Sequence, residues 1–243
     1  MKVVAVIQAR MGSSRLPGKV MMDLAGKPML AWVVERVWQA SSIDVAVVAT
    51  TMEGQDNAIV RLCDYRWWPS FRGSEDDVLD RFYWAAREYH ADAVVRICAD
   101  CPLIDPEVID LVVQAFRDER VDYASNTMIR TYPRGLDVSV TSMDALSRAW
   151  HEAAELHQRA HVTAYVYRHP ELFRLLAVTG DEDYSSYRWT VDEPADLDFV
   201  RAIYDRLGHL DTFGWRDVLE VLAREPELAE LNSQVNQKEL EAG

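Results

Sequence analysis

Apolar residues in the N-terminal half of the chain form short continuous runs and, between these runs, longer stretches with helical spacing. The runs Val3–Gln8, Val45–Thr50 and Ala93–Ile97 predict strands that are buried on both faces, as in a parallel sheet. Apolar residues three or four apart predict helices at Met29–Gln39, Gln55–Tyr65, Ser74–Tyr89 and Pro106–Asp118. This alternation predicts an α/β fold with a mostly parallel sheet and right-handed crossovers.

The regular alternation ends after Val121. We expect residues 121–187 to form an arm or lid on the main sheet, within a single domain of residues 1–243. A C-terminal helix and tail are expected at residues 208–243. The remaining predicted elements are strands at Tyr123–Thr127, Leu136–Val140 and Arg188–Val191, and helices at Asp144–Glu155, Arg159–Tyr167 and Pro194–Leu207.

Composition and charge restrict the possible functions. The 243 residues carry 26 Lys and Arg against 40 Asp and Glu, a net charge of -14, which disfavours generic binding to nucleic acid or to anionic membrane. No apolar run approaches the roughly 20 residues that span a bilayer, so no membrane association is expected. Three cysteines without an export signal predict a cytoplasmic protein. Residues 1–22 hold four basic and no acidic residues, which suggests a small anionic ligand at this place.

The loop after the first strand, Gln8–Lys19, is the strongest candidate for a ligand site. Gly12 lets the backbone approach a ligand closely. Arg10, Arg15 and Lys19 supply three cations, and arginine forks match phosphate oxygens in pairs. The glycine and lysine spacing is not that of a Walker loop, and the alternative is an exposed basic loop without a ligand.

Two acidic residues are candidate metal ligands. Asp100 directly follows a predicted strand, and Asp192 precedes a predicted helix without being its N-cap. Together they could hold magnesium, which favours one or two carboxylates plus phosphates and water. The alternative for Asp192 is a solvated acid. Cys98 and Cys101 form a CxxC pair, but without a second pair a redox or zinc site is disfavoured.

Two further segments offer binding groups. Gly73 and Ser74 follow a short predicted strand, where the turn could recognise a base through its main chain. Ser74 with Asp77 also resembles a capping box, and both interpretations can hold together. Arg134, Arg159 and His161 could receive an anionic or hydroxylated second substrate, or they could simply belong to a turn and a helix start.

Six motifs, in this order, resemble those of the cytidylyltransferase family, which includes the enzymes that activate 3-deoxy-octulosonate and N-acylneuraminate. The branch labelled spore coat polysaccharide biosynthesis protein F is the most similar in pattern. The motifs are QARMGSSRLPGK (Gln8–Lys19), FRGSEDDVLDR (Phe71–Arg81), RICADCPLIDP (Arg96–Pro106), SNT with RTYPRGLDV (Ser125–Val138), HVTAYVY (His161–Tyr167) and RWTVDEPADL (Arg188–Leu197).

The resemblance implies a Rossmann-like nucleotidyltransferase fold, CTP as donor, a Mg²⁺ requirement and a homodimer. It also assigns roles to individual residues. Lys19 and Arg10 are the implied catalytic residues, and they bind the nucleotide together with Ala9, Gly12, Ser13, Arg15, Gly73 and Ser74; Asp100 and Asp192 are the implied metal ligands; Arg134, Asp137 and His161 are the implied acceptor-binding residues.

The function expected from this resemblance is transfer of CMP from CTP to an acceptor, with release of pyrophosphate. The expected acceptor is an acidic sugar destined for a surface polysaccharide or glycan. Two alternatives remain open. One is a nucleotidyltransferase with a different nucleotide or a non-sugar acceptor such as a phosphonate. The other is a nucleotide-binding protein without catalytic activity.

Overall fold

A computed structural model describes residues 1–207 and 212–237 of the chain. Seven strands form one sheet in the order β5-β4-β1-β6-β8-β7-β9, and β2 pairs with β3 in a small hairpin. The strands in chain order are β1 (Val3–Gln8), β2 (Asp23–Leu24), β3 (Lys27–Pro28), β4 (Val45–Thr51), β5 (Ser70–Gly73), β6 (Ala93–Cys98), β7 (Tyr123–Ser125), β8 (Ser139–Ser142) and β9 (Leu175–Ala177).

Helices cover both faces of this sheet, which explains why the central strands are apolar throughout. One face packs against α1, α2, α4, α8 and α9, and the other face packs against α3, α5 and α7. The helices are α1 (Met29–Gln39), α2 (Asn57–Arg66), α3 (Val78–Glu88), α4 (Pro106–Glu119), α5 (Met143–Glu152), α6 (Leu156–Ala160), α7 (Ala164–Arg168), α8 (Pro194–Arg206) and α9 (Trp215–Arg224).

The strands that carry the predicted site residues run in the same direction. Strands β1, β4, β5 and β6 are parallel, so their carboxyl ends meet at one edge. The α/β fold with a mostly parallel sheet is therefore confirmed. The expected arm, residues 121–187, contributes β7, β8 and β9 to the same sheet, with β8 antiparallel to β6.

The predicted strand at Arg188–Val191 is wrong. Only an isolated bridge joins Arg188 to Arg134. The backbone N–H groups of this segment donate to loops instead of a neighbouring strand, with Trp189 N to Arg134 O at 2.6 Å and Val191 N to Asp100 O at 2.8 Å. This pairing ties the segment to the edge where β6 ends.

Two predicted helices differ most from the helices in the structure. The expected helix at Arg159–Tyr167 is divided into α6 and α7, because Val162 between them has a φ of 26°. Helix α3 begins at Val78 instead of Ser74, since the Asp77 side chain accepts from Asp80 N as the N-cap. Ser74 Oγ accepts from Asp77 N one turn earlier, so the expected capping box is replaced by two successive caps.

The predicted helix near the C-terminus is present as α9. Parts of the expected C-terminal segment, residues 208–211 and 238–243, lie outside the described residues. Across residues 1–207 and 212–237, no helix combines the length and hydropathy that crossing a membrane requires.

Candidate active site

A buried acid anchors the loop that follows β1. Asp56 Oδ1 accepts from the backbone N of Met11 at 2.7 Å, while its Oδ2 accepts from the hydroxyl groups of Thr50 and Thr51 at the end of β4. Burial opposes ionisation of Asp56, but hydrogen bonds, led by that from Thr51, hold its pKa below the ordinary value. Our sequence reasoning missed Asp56, whose only signal is an acid closely following a threonine pair.

Lys19 connects the two predicted metal ligands. Its Nζ donates to Asp100 Oδ2 at 2.7 Å, to Asp192 Oδ1 at 2.8 Å and to the backbone oxygen of Val191 at 2.7 Å. The two carboxylate oxygens therefore lie at most 5.5 Å apart, the sum of their distances to one nitrogen. Residues separated by 81 and 173 positions in the chain thus meet at one atom.

Two arginines bind the other oxygen of Asp192. Arg15 and Arg188 each place a guanidinium nitrogen 2.8 Å from Asp192 Oδ2. We call Lys19, Asp100, Asp192, Arg15 and Arg188 the charge cluster. In this arrangement three cations share two carboxylates, and two further acids pair with the arginines, Glu193 at 3.5 Å from Arg15 and Asp196 at 2.9 Å from Arg188.

The members of the charge cluster stabilise one another in their ionised forms. Burial alone would lower the pKa of Lys19, but the charges of Asp100 and Asp192 and the hydrogen bonds to both raise it above its ordinary value. Burial also opposes ionisation of Asp192, yet Lys19, Arg15 and Arg188 hold its pKa below the ordinary value. Both groups are therefore charged at neutral pH.

Asp196 at the start of α8 fixes the position of Asp192. Its fully buried carboxylate accepts from Arg188 Nε at 2.9 Å and from the backbone N of Asp192 at 2.9 Å and of Glu193 at 3.0 Å. Glu193 is the N-cap of α8, so Asp192 precedes the helix without being its N-cap, as expected. Sequence reasoning missed Asp196 because an acid in the first helical turn is common at any helix start.

The predicted phosphate loop lies beside the predicted base-recognition turn. An Arg10 guanidinium nitrogen is 3.6 Å from Glu75 Oε1, and Glu75 directly follows the turn at Gly73 and Ser74. A Cβ on Gly12 would lie 3.2 Å from the same Glu75 oxygen. The structure therefore brings the two predicted nucleotide-binding segments together.

The remaining predicted nucleotide-binding residues support the backbone of these segments. Ala9 is buried and its N–H donates to Ala49 O at 3.1 Å, while Ser13 Oγ accepts from Leu16 N at 3.3 Å. Arg81 of α3 donates to the backbone oxygen of Ser74. Their direct role towards a nucleotide stays a prediction.

The predicted acceptor residues Arg134 and Asp137 lie on a turn packed against the Arg188–Val191 segment. Gly135 between them has a φ of 112°, and a Cβ there would lie 2.6 Å from the carbonyl carbon of Trp189. This turn therefore requires glycine. Asp137 is engaged by Arg130 through two hydrogen bonds, at 2.6 and 3.0 Å.

His161 lies on a different segment from Arg134 and Asp137. It follows α6, and Arg159 of that helix donates twice to Asp77 Oδ2, at 2.9 and 2.6 Å. This ion pair anchors the α6–α7 segment at the N-terminus of α3, close in sequence to the base-recognition turn. The acceptor-binding roles of Arg134, Asp137 and His161 stay predictions.

The donor set of the charge cluster suits a hard divalent cation. Asp100 and Asp192 aim carboxylate oxygens at one point, which Lys19 Nζ contacts, and one or two carboxylates together with phosphates and water are the ligands that magnesium favours. Within residues 1–207 and 212–237, no three His, Cys, Asp or Glu residues are arranged to hold a metal ion by themselves. Burial raises the pKa of Cys98 to about 11, which disfavours a thiolate there.

Comparisons with known proteins identify the family of this chain. The cytidylyltransferase family model matches residues 4–237. The spore coat polysaccharide biosynthesis protein SpsF of Bacillus subtilis is 33% identical over 236 residues, covering 93% of this chain and 96% of that protein. A 3-deoxy-manno-octulosonate cytidylyltransferase of Trichlorobacter lovleyi is 39% identical over 118 residues, covering 48% of this chain and 45% of that protein.

A solved structure extends the likeness to the whole chain. A cytidylyltransferase from Leptospira borgpetersenii superposes with a TM-score of 0.91 at 30% identity, covering 98% of this chain and all of that one. The family model spans nearly the full chain, including both acids of the charge cluster and the loop after β1. The chain therefore belongs to the cytidylyltransferase family and is a nucleotidyltransferase enzyme.

Proposed function

We propose that this protein transfers CMP from CTP to an acidic sugar in a magnesium-dependent reaction that releases pyrophosphate. The product would serve surface polysaccharide or glycan synthesis, as the name of the relative SpsF suggests. The observation that carries the proposal is the meeting of Lys19, Asp100 and Asp192 at the edge where β1 and β6 end. From the resemblance to the family, we also propose that the protein is a homodimer and acts in the cytoplasm.

The nucleotide site follows from the two adjacent loops. Arg10, Arg15 and Lys19 supply positive charge for the triphosphate, and backbone groups at Gly12 and Ser13 can approach it closely. The turn at Gly73 lies beside Arg10, because Glu75, two residues after Gly73, is 3.6 Å from the Arg10 guanidinium. This proximity supports a site in which the loop after β1 binds the triphosphate and the turn binds the base.

Asp100 and Asp192 are the residues that would hold magnesium. A bound magnesium ion supplies charge neutralisation and orientation of the phosphate oxygens. Lys19 Nζ occupies the position where a cation contacts both carboxylates. Lys19 would lose these contacts if Asp100 and Asp192 held a metal ion, and its ammonium would then be available to the triphosphate.

The chemistry requires mainly positioning and electrostatic stabilisation. An acceptor oxygen attacks the α-phosphorus in line, a new P–O bond forms, and the bond to pyrophosphate breaks. Lys19 and Arg10 would neutralise the charge that develops on the leaving pyrophosphate. Arg15 and Arg188 keep Asp192 ionised and fixed during this change of partners.

The proposal is tested by pyrophosphate release. The assay combines the purified protein, magnesium, one of CTP, UTP, GTP or ATP, and a panel of acidic sugars, neutral sugars and phosphonates. We expect release only with CTP and an acidic sugar. Release with another nucleotide or a phosphonate would assign the alternative transferase activity, and CTP binding without release under any condition would contradict the proposed catalysis.

A further inference from the structure

One face of the sheet changes from apolar to polar as it approaches the candidate active site. Val4 and Val6 of β1 and Val94 of β6 belong to the apolar layer beneath α3, α5 and α7. Continuing along the same face, the next residues are Gln8 on β1 and Arg96 on β6, since Val6 pairs with Arg96. We call Gln8 and Arg96 the unpaired row.

The buried polar atoms of the unpaired row lack hydrogen-bond partners. Gln8 Oε1 and Arg96 Nε are both shielded from solvent, and neither has a partner within the described parts of the chain. Most buried polar atoms in proteins are hydrogen-bonded, and leaving them without a partner costs stability. Two such atoms near the carboxyl ends of adjacent strands indicate a binding site in which a ligand supplies the hydrogen-bond partners.

The surroundings of Arg96 favour an anionic ligand. The groups that raise its pKa are first Cys98 and then Tyr123, Asp137 and Asp100, acting against burial. Asp137 is already engaged by Arg130, and Asp100 by Lys19. The Arg96 guanidinium therefore has acids nearby, but those acids already bind other cations.

We propose that Arg96 binds the carboxylate of the acceptor sugar and that the Gln8 side chain binds a neighbouring hydroxyl. This inference rests on the proposed function and deepens it, because it names the residues that distinguish an acidic sugar from a neutral one. Arg96 precedes Asp100 by four residues, of which Ile97 and Cys98 still lie on β6, so an extended backbone places the two residues about 13 Å apart. A carboxylate on Arg96 would thus place the rest of the sugar within reach of the metal-binding edge.

The triphosphate is a less suitable occupant of the unpaired row. The loop after β1 already offers Arg10, Arg15 and Lys19 to phosphate, on segments separate from β6. An arginine fork matches a planar carboxylate with two parallel hydrogen bonds, and a hydroxyl can donate to Gln8 Oε1. The two groups together match a sugar acid.

The test compares acceptor kinetics of the wild type with those of Arg96→Gln, Arg96→Lys and Gln8→Leu. The probes are 3-deoxy-manno-octulosonate and N-acetylneuraminate, each beside its methyl ester, with pyrophosphate release as readout. For Arg96→Gln we expect the KM of the free acid to rise about 10- to 100-fold, the factor that a hydrogen bond to a charged group contributes. The KM of CTP should change less than about twofold, and the wild-type preference for acid over ester should disappear.

The other variants separate binding from folding. Arg96→Lys keeps the charge without the fork and should give an intermediate KM, while Gln8→Leu should raise the KM of acid and ester alike. Arg148→Gln, on the exposed side of α5, is the matched control. Calorimetric titration with CTP confirms that each variant is folded, and Arg96→Lys carries the test if Arg96→Gln does not fold.

The outcomes distinguish this inference from the function on which it rests. If the wild type releases pyrophosphate with neither acid nor any other acidic sugar, the proposed function fails and the assignment of Arg96 fails with it. If the wild type is active but Arg96→Gln keeps its preference for acid over ester, only the assignment of Arg96 is overturned. A rise in the KM of CTP equal to that of the acid would also overturn it, because Arg96 would then serve the nucleotide.

Discussion

The charge cluster and the unpaired row lie at the same edge of one sheet, yet they differ in how their charges are satisfied. Lys19, Asp100 and Asp192 bind one another directly, and Arg15 and Arg188 complete the set. Gln8 Oε1 and Arg96 Nε, by contrast, have no partner in the described residues.

This difference distinguishes two ways of preparing a binding site. In the charge cluster, internal partners hold the functional groups in place and must be exchanged when a ligand arrives. In the unpaired row, two buried atoms have no partner in the described residues, and under our proposal a ligand would supply one to each, so that binding would gain the value of each new hydrogen bond. A site whose charged groups already bind one another has a fixed geometry. A site whose buried polar groups lack partners is selective for a ligand that can form hydrogen bonds with them.

The largest expected effect comes from removing the shared cation of the charge cluster. Lys19→Ala should lower kcat by about 10²–10³, by analogy with the loss of one electrostatic donor in a transition state. Steady-state pyrophosphate release measures this loss, and Lys2→Ala, which precedes β1 at the opposite edge, should leave kcat unchanged. A fall of less than about threefold in Lys19→Ala would show that the charge cluster does not serve catalysis.

The next effect concerns the turn that packs against the charge cluster. Gly135→Ala places a Cβ in contact with the backbone of Trp189 at a positive φ, which should lower the free energy of unfolding by about 2–4 kcal/mol. Gly54→Ala is the matched control, because a Cβ there meets no atom within 4 Å. Urea titrations measure the free energy of unfolding of both variants. Equal values for the two variants would contradict the close contact between residue 135 and the backbone of Trp189.

The third prediction addresses the proposed metal ligands. Asp100→Asn should raise the magnesium concentration for half-maximal rate by about 10- to 100-fold, because one of two charged ligands becomes neutral. Asp118→Asn, on the exposed side of α4, should leave the magnesium requirement unchanged. Full activity of Asp100→Asn at low magnesium would exclude Asp100 as a metal ligand.

A smaller effect is expected from the anchor of the loop after β1. Asp56→Asn should lower the free energy of unfolding by about 1.5 kcal/mol, since a buried carboxylate loses charge-assisted hydrogen bonds. Because the folded-state pKa of Asp56 lies below its ordinary value, this contribution is complete above about pH 5 and is lost as the pH falls through the folded-state pKa. Denaturant titrations between pH 3 and about pH 7 would measure this, and a pH-independent difference would contradict the role of the charge.

The smallest expected effect concerns Thr141, a buried residue that lies further from the candidate active site. Thr141 Oγ1 is also buried without a partner in the described residues, but it lies beside Val94, further beneath the helices than Arg96. Thr141→Val should therefore raise the free energy of unfolding by about 0.5–1 kcal/mol and leave acceptor kinetics unchanged. The exposed variant Thr179→Val should change neither. A raised acceptor KM in Thr141→Val would instead show that Thr141 also contributes to acceptor binding.

Much of the fold was predictable because its signals are local. The apolar runs of β1, β4 and β6 and the start of α4, with Pro106 as its first residue, depend on neighbouring residues alone, and the structure contains them. The Arg188–Val191 segment was mispredicted as a strand because its apolar pattern suits one. Its backbone partners, at Arg134 and Asp100, are distant in sequence.

The predicted site shows the same division. Motifs identified the loop after β1, Asp100 and Asp192 as candidates, since each follows a strand or precedes a helix. Asp56, Asp196 and Arg96 were missed as site residues, although Arg96 stood in a quoted motif. The role of each residue depends on contacts, or on missing contacts, with residues that are distant in the sequence.

The sequence by itself determined that a parallel sheet forms, that its ligand edge carries basic and acidic residues, and which family the motifs resemble. Only the tertiary structure decided that Lys19 lies between Asp100 and Asp192, and that Arg96 Nε has no hydrogen-bond partner among the described residues. The physical reason is that hydrophobic periodicity reports which face of an element is buried. Pairing of charges instead depends on distances of a few ångströms between segments that only the assembled sheet brings together.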